Sequence, residues 1–200
     1  MEKSPSKQPP LNYRDDETLR AARERYWAAN GFGDDGGFSK TWEIVKLGPI
    51  PIPIRNIDAR KIAIRYHDLH HVLTGYQTDF AGETEISAWE LSTGCSDKWV
   101  GWVLGFQILT LGMIAPRRML QAWARGRHTQ CLYAEEFNDA LLDSTVGETR
   151  KRLGLDQALP APALADYFGI GVWTLGSFAV QLAGLLAVLG GLWWGISSIL

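Results

Sequence analysis

Apolar residues recur at helical spacing along most of this chain, and the pattern stops where glycine, proline or a capping side chain interrupts it. Asp15 and Asp16 precede a predicted helix that runs to about Ala29, with Leu19, Ala22 and Tyr26 on one side. Gly31 to Gly37 (GFGDDGG) reads as a flexible loop, in which Asp34 and Asp35 fit a solvated turn better than a cation site. In Gly48-Pro49-Ile50-Pro51-Ile52-Pro53-Ile54 the alternate prolines forbid a helix. That run is expected to be a polyproline-like strap over apolar surface, and less readily a recognition segment. Asn56 or Asp58 should cap the next helix, whose apolar stripe is Ile62, Tyr66, Leu69 and Leu73 and which Thr74-Gly75 ends. A partner helix follows over about 82–93, stopped by Gly94.

Ser96 caps a third predicted helix, and no charged residue occurs from Trp99 to Ala115. With Pro116 that stretch would be about 27 Å long as a helix, at the margin for a membrane span. Trp99, Val103, Gln107 and Thr110 interrupt a lipid-facing surface, and Gly101 and Gly105 permit close approach. A buried bundle helix, able to wall a lipid channel, is therefore preferred. Arg117, Arg118, Arg125 and Arg127 follow with no acid among them. They suit an anionic lipid head group or a substrate carboxylate, Arg117 and Arg118 first, or else form a solvated basic face. A helix from Cys131 to Leu142 is predicted from Leu132, Tyr133, Phe137 and Leu141, and Thr145 with Glu148 forms a capping box for a last core helix ending at Gly154. The pattern thus predicts an all-α helical bundle domain over residues 13–156. A disordered tail (1–12) precedes it, and a Pro/Ala linker (157–166) marked by Pro160-Ala161-Pro162 follows.

From Tyr167 to Leu200 the only ionisable side chain is Tyr167 itself, so residues 167–200 read as a transmembrane anchor, one long or tilted span with a candidate break at Gly190-Gly191. Ala179, Ala183, Ala187, Gly191 and Gly195 repeat every fourth residue and favour a homo-oligomer. Arg150, Lys151 and Arg152 on the N-terminal side of the span put the domain on the cytoplasmic face of the inner (plasma) membrane. Hydrophobic residues form 46% of the chain and charged residues 21%, enough for a packed core, and a net charge of −2 argues against a nucleic-acid partner. Cys95 and Cys131 lack CxxC spacing and read as free thiols. The first ten residues have neither an apolar core nor an Arg-rich amphipathic pattern, so neither a signal nor a transit peptide is expected there.

The chemistry concentrates in Arg65-Tyr66-His67-Asp68-Leu69-His70-His71, which holds three of the four histidines. On a helix His67 and His71 project from one face, with Asp68 about 100° round from His67. A helix-turn-helix hairpin would return Glu83 towards them. Two imidazoles with carboxylates form a site for one divalent cation, zinc first, with iron or manganese as alternatives. The candidate ligands are His67, Asp68, His71 and Glu83, with Asp68 and Glu83 the catalytic candidates and His70 a spare or outer group. Glu90 is a candidate outer ligand or imidazole partner, or an ordinary surface glutamate. A single histidine on a half-buried helix is usually a hydrogen-bonded core side chain; three beside an aspartate weigh against that. A histidine box of membrane desaturases would need roughly twice the four histidines present, and the His-Asp phosphohydrolases need a histidine before position 67, where there is none.

His67-Asp68-x-x-His71, then eleven residues, then Glu83 resembles the signature of the coenzyme Q biosynthesis protein 4 family. The similarity extends to Gly75, Thr78 and Gly82. It continues more loosely to Ala115-Pro116-Arg117, Tyr133 with Phe137, and Arg152-Leu153-Gly154-Leu155, and so covers roughly residues 14–155. Position 70 is His where the family carries an aliphatic residue, and the chain beyond 155 has no counterpart. The resemblance implies an enzyme of ubiquinone biosynthesis that replaces the ring carboxyl group of a polyprenylated aromatic lipid with a hydroxyl. It also implies association with other quinone biosynthesis proteins. The alternative is a non-catalytic lipid-binding scaffold, and four protein ligands closing the metal site would favour it.

Overall fold

The computed structural model describes residues 12–47, 50–94, 105–106 and 109–198. Residues 1–11 of the expected tail, Cys95, the expected cap Ser96 and part of the charge-free run from Trp99, including Gly101, Val103 and Gln107, lie outside the described residues. Among those described, seven α-helices and one two-stranded sheet form an all-α bundle with a long apolar C-terminal helix.

Helix α1 (Leu19–Asn30) starts at Thr18, whose hydroxyl accepts the Ala21 N–H, and stops at Gly31 in the left-handed region. The loop after it turns on Asp35, whose carboxylate accepts the Gly37 and Ser39 N–H groups at 3.0 and 2.8 Å, so this acid is used by the turn itself. The proline run is no strap. Strands β1 (Trp42–Leu47) and β2 (Ile50–Arg55) pair antiparallel, Trp42 opposite Arg55 and Leu47 opposite Ile50. Pro51 and Pro53 are two residues apart, so their nitrogens fall on the same edge of β2, and a two-stranded ladder has an outer edge that needs no donors.

Helix α2 (Asp58–Thr74) begins without a side-chain cap. Asn56, expected as its cap, is buried and donates instead to the carbonyls of Gly37 and Lys40, which fastens the loop. Helix α3 (Phe80–Thr93) is the centre of the core, with Thr84 through Leu91 all buried and Trp89 fully enclosed. It packs chiefly on α4 (Pro116–Gly126), which follows a 3-10 turn at Leu109–Ile114. The helix expected over 131–142 is replaced by a 3-10 turn at Leu132–Ala134 and a five-residue α5 (Asp139–Asp143). Asn138 accepts the Leu141 N–H and so starts a new helix in mid-pattern. Leu132, Tyr133 and Leu141 reach the core without helical phase. Helix α6 (Val146–Leu153) has the predicted Thr145–Glu148 capping box and ends at Gly154.

Helix α7 (Leu164–Ser197) starts inside the expected linker and runs unbroken through Gly190-Gly191. Its first half lies against the domain. Asp166 pairs with Arg127 at 2.9 Å, Ile170 is buried, and Gly169 sits so close to Trp123 that a Cβ there would be 3.1 Å from the indole nitrogen. Its second half is almost wholly exposed and apolar, and the whole helix, at 34 residues, is long enough to cross a bilayer and consistent with membrane association.

Candidate metal centre

The site is built on the α2–α3 hairpin. Gly75 ends α2 at φ 79°, its N–H on the His71 carbonyl, and Asp79 caps α3 by accepting the Gly82 N–H at 2.8 Å. A Cβ at Gly82 would lie 2.0 Å from the Gln77 carbonyl oxygen, so only glycine lets the chain turn this tightly. Behind the hairpin, Arg150 donates to the Val72 and Leu73 carbonyls and Arg125 to that of Thr74, capping the C-terminal end of α2 with positive charge.

The turn returns Glu83 to the two imidazoles. His67 Nε2 lies 3.5 Å from one Glu83 oxygen, His71 Nε2 lies 3.5 Å from the other, and the two nitrogens are 3.2 Å apart. Each ring is held from behind. His71 Nδ1 is 2.9 Å from the Tyr76 carbonyl, which can only accept, so the proton sits on Nδ1 and the Nε2 lone pair faces the site. His67 Nδ1 faces Glu90 at 3.1 Å in the same sense. Two inward lone pairs at this separation need a proton or a cation between them, and the donor set of two imidazoles and a carboxylate fits a divalent transition metal. Tyr26 stacks on His71 with ring centroids 5.4 Å apart and closes that side.

Electrostatics agree with this arrangement. Burial alone would depress the His67 pKa, but Glu90 and Glu83 outweigh it and hold it well above the usual value. Burial would raise Glu83, yet His71 and His67 bring it below the ordinary range. Glu90 is also held far down against its burial, chiefly by His67 and His70. His71 is lowered, mainly by burial.

Of the four ligands expected from sequence, three converge. Asp68 stands outside the cluster: it is buried and accepts the Trp27 indole N–H at 2.7 Å, tying α1 to α2 and so placing Tyr26 over His71. Burial raises its pKa to about 7, against the pull of Trp27 and His67. Glu90, only an outer candidate in sequence, is the hub of the site. One of its oxygens receives His67 Nδ1, His70 Nδ1 (2.6 Å) and the Tyr133 hydroxyl (3.1 Å). His70 is not spare, since its Nε2 accepts the buried Leu132 N–H at 3.0 Å and it joins Glu90 to the 3-10 turn. Trp27 and Tyr26 escaped sequence reasoning as site residues, although the apolar stripe of α1 already pointed Tyr26 inward. Arg118 is taken up by Glu85 in a two-pronged pair at 3.0 and 2.5 Å, which leaves Arg117 as the exposed head-group candidate.

Compared with models of known protein families, with curated proteins and with solved structures, the chain matches none.

The two roles within the hub can be separated experimentally. Glu90→Gln is expected to lower metal affinity about 10–100-fold with the fold retained, because the His67 ring loses its anionic partner. His70→Leu should keep the metal but cost roughly 1–3 kcal/mol, because it strands the Leu132 N–H in the core. Calorimetric metal titration and denaturant melts of the two variants read this out, and the reverse pattern would mean that His70 is the ligand.

Proposed function

We propose that this chain is a membrane-anchored, metal-dependent enzyme of ubiquinone biosynthesis that exchanges the ring carboxyl group of a polyprenylated aromatic head group for a hydroxyl. The observation that carries this reading is the convergence of His67 Nε2, His71 Nε2 and the Glu83 carboxylate on one point, each imidazole fixed from behind. Bound there, a divalent cation, zinc or alternatively iron or manganese, would supply charge stabilisation to the phenol and carboxylate oxygens of the head group. His67, His71 and Glu83 would hold it, and Glu90 and the Tyr76 carbonyl keep both rings in the ligating tautomer. Asp68, held near neutrality beside His67, can keep or release a proton at working pH.

Losing carbon dioxide and gaining a hydroxyl is a two-electron oxidation of the ring, so dioxygen or an equivalent oxidant is a second substrate. The resemblance of His67-Asp68-x-x-His71 with Glu83 to the coenzyme Q biosynthesis protein 4 signature supports the same substrate class, and with it partnership with other quinone biosynthesis proteins. A span in α7 would keep the domain where a long isoprenoid lipid resides. Arg150, Lys151 and Arg152 before it favour the cytoplasmic face, and the small-residue stripe favours a homo-oligomer.

The test is labelled carbon dioxide released from a ring-carboxyl-labelled, prenylated 4-hydroxybenzoate by the metal-loaded chain in lipid nanodiscs. Glu83→Ala should abolish the release. If the wild-type chain holds both metal and lipid yet releases nothing with or without dioxygen, the lipid-binding scaffold is the correct reading.

A further inference from the structure

A groove of about 440 Å³ runs between the Leu109–Ile114 turn, the start of α4 and the first half of α7. Its walls are mostly apolar, among them Met113, Met119, Ile170 and Leu175, and Arg117 stands at its side. We infer that this groove lies at the level of the lipid head groups and takes the upper chain of an acidic membrane phospholipid, whose phosphate meets Arg117. The inference rests on the reading of α7 as a membrane span and is independent of the reaction proposed above.

Three independent features place the groove at that depth. The first is the spacing of tryptophans along α7. Trp173 precedes Trp193 and Trp194 by about 30 Å of helix at the α-helical rise, the thickness of a bilayer's hydrocarbon core. Indole rings gather at both edges of that core. Trp193 and Trp194 are each 74% exposed, as lipid-facing belt residues would be, whereas Trp173 packs on Phe106.

The second feature is the pairing of polar side chains beyond Trp173. Ser177 donates to the Phe106 carbonyl at 2.5 Å, and Gln181 Nε2 donates to the Thr110 hydroxyl at 3.1 Å and to Ser177 Oγ at 3.1 Å. Side chains in hydrocarbon need such partners, because no water is present to replace them. Phe106 and the Leu109–Ile114 turn, which supply them, must therefore lie beside α7. The third feature is the tip of that turn, where Met113 and Ile114 are 69% and 71% exposed. Two adjacent large apolar side chains held this far out are costly in water and favourable at a membrane interface.

The choice of an acidic lipid follows from what each cation nearby does. Arg118 is held by Glu85, Arg127 by Asp166, and Arg125 by the Thr74 and Leu155 carbonyls. Arg117 is exposed and has no ion-pair partner among the described residues. On the opposite wall the Thr174 hydroxyl is buried and has no hydrogen-bond partner among the described residues. Gly171, also on the wall, opens onto free space, since a Cβ there would meet nothing within 4 Å.

Two measurements on the full chain in nanodiscs of mixed acidic and zwitterionic phospholipid test this. In the first, a bimane label on Met113→Cys, with Cys95 and Cys131 changed to serine, is exposed to lipids spin-labelled either near the glycerol or at the chain end. Strong quenching from the glycerol position is expected, with Phe178→Cys quenched by the deeper probe and Asp34→Cys by neither. A Met113 label as unquenched as Asp34, while Phe178 is quenched, overturns the inference but leaves the span. Loss of quenching at Phe178 as well means that the span itself fails. In the second, native mass spectrometry counts the acidic lipid retained after detergent release. Arg117→Glu and the groove-filling Gly171→Leu should each reduce it about tenfold. Equal retention by wild type and both variants would show that no lipid occupies the groove.

Discussion

His71→Ala will weaken binding of a divalent cation by more than about 100-fold, since even an outer hydrogen-bond partner in such sites is worth about 10–100-fold. The substitution removes one of only two imidazole donors, and the Tyr76 carbonyl that oriented it is left without a partner from that ring. The consequence is also visible as stability. In the metal-free protein His67 is held well above its usual pKa by Glu90 and Glu83 despite its burial. A histidine raised in the folded state contributes stability that is complete below its unfolded value, near ~6.5, and is lost as pH rises through the folded one. Glu83 and Glu90 run the other way: lowered by the histidines against their burial, they contribute above the carboxylate range and lose that contribution only in acid.

A bound cation takes the place of the proton between the rings and needs them neutral. Added zinc should therefore raise the melting temperature more at about pH 8 than at about pH 6, and neither shift should survive in His71→Ala. Calorimetric titration with melting curves at both pH values checks this. Equal zinc affinity in wild type and variant would remove the site.

Ending the chain at Gln157 will destabilise the helical domain by at least about 3 kcal/mol, a fall of roughly 6–12 °C in Tm for a domain of this size. The cut would leave a free-standing domain if α7 served only as an anchor. The packing argues otherwise, because α7 buries Ile170 against the core, covers Trp123 through Gly169 and pairs Asp166 with Arg127. Removing it uncovers apolar side chains of α4 and strands the Phe106 carbonyl and the Thr110 hydroxyl, the partners of Ser177 and Gln181. A chain ending after Gln181 keeps all of these contacts and should melt like the full chain in the same detergent. If the chain ending at Gln157 melts there too, α7 is an anchor alone.

Local pattern accounts for the parts of the fold that were legible. The histidine helix, its stop at Gly75, the return of Glu83 and the Thr145 capping box all follow from helical period and from caps within a few residues. So does the convergence of His67 and His71, because a separation of four residues on a helix is itself a spatial statement. Where a side chain had two ways to satisfy itself, local pattern could not choose. Asp68 could have turned to the imidazoles but found the Trp27 indole, 41 residues away. Arg118 looked unpaired because its acid, Glu85, sits 33 residues back on a neighbouring helix. The alternating prolines excluded a helix correctly, but a ladder on one edge of β2 was decided by pairing with β1.

What the sequence determined by itself is the helices over Leu19–Asn30, Asp58–Thr74, Phe80–Thr93 and Val146–Leu153, the apolar C-terminal run and three side chains able to share a cation, since these depend on period, composition and short-range turns. Only the tertiary structure decided that Glu90 joins His67, His70 and Tyr133, that the run over 131–142 breaks at Asn138, and that the first half of α7 belongs to the domain. The reason is physical. A buried carboxylate takes whichever donors packing brings to it, and packing is a property of faces that meet across long stretches of chain, not of the spacing within any one of them.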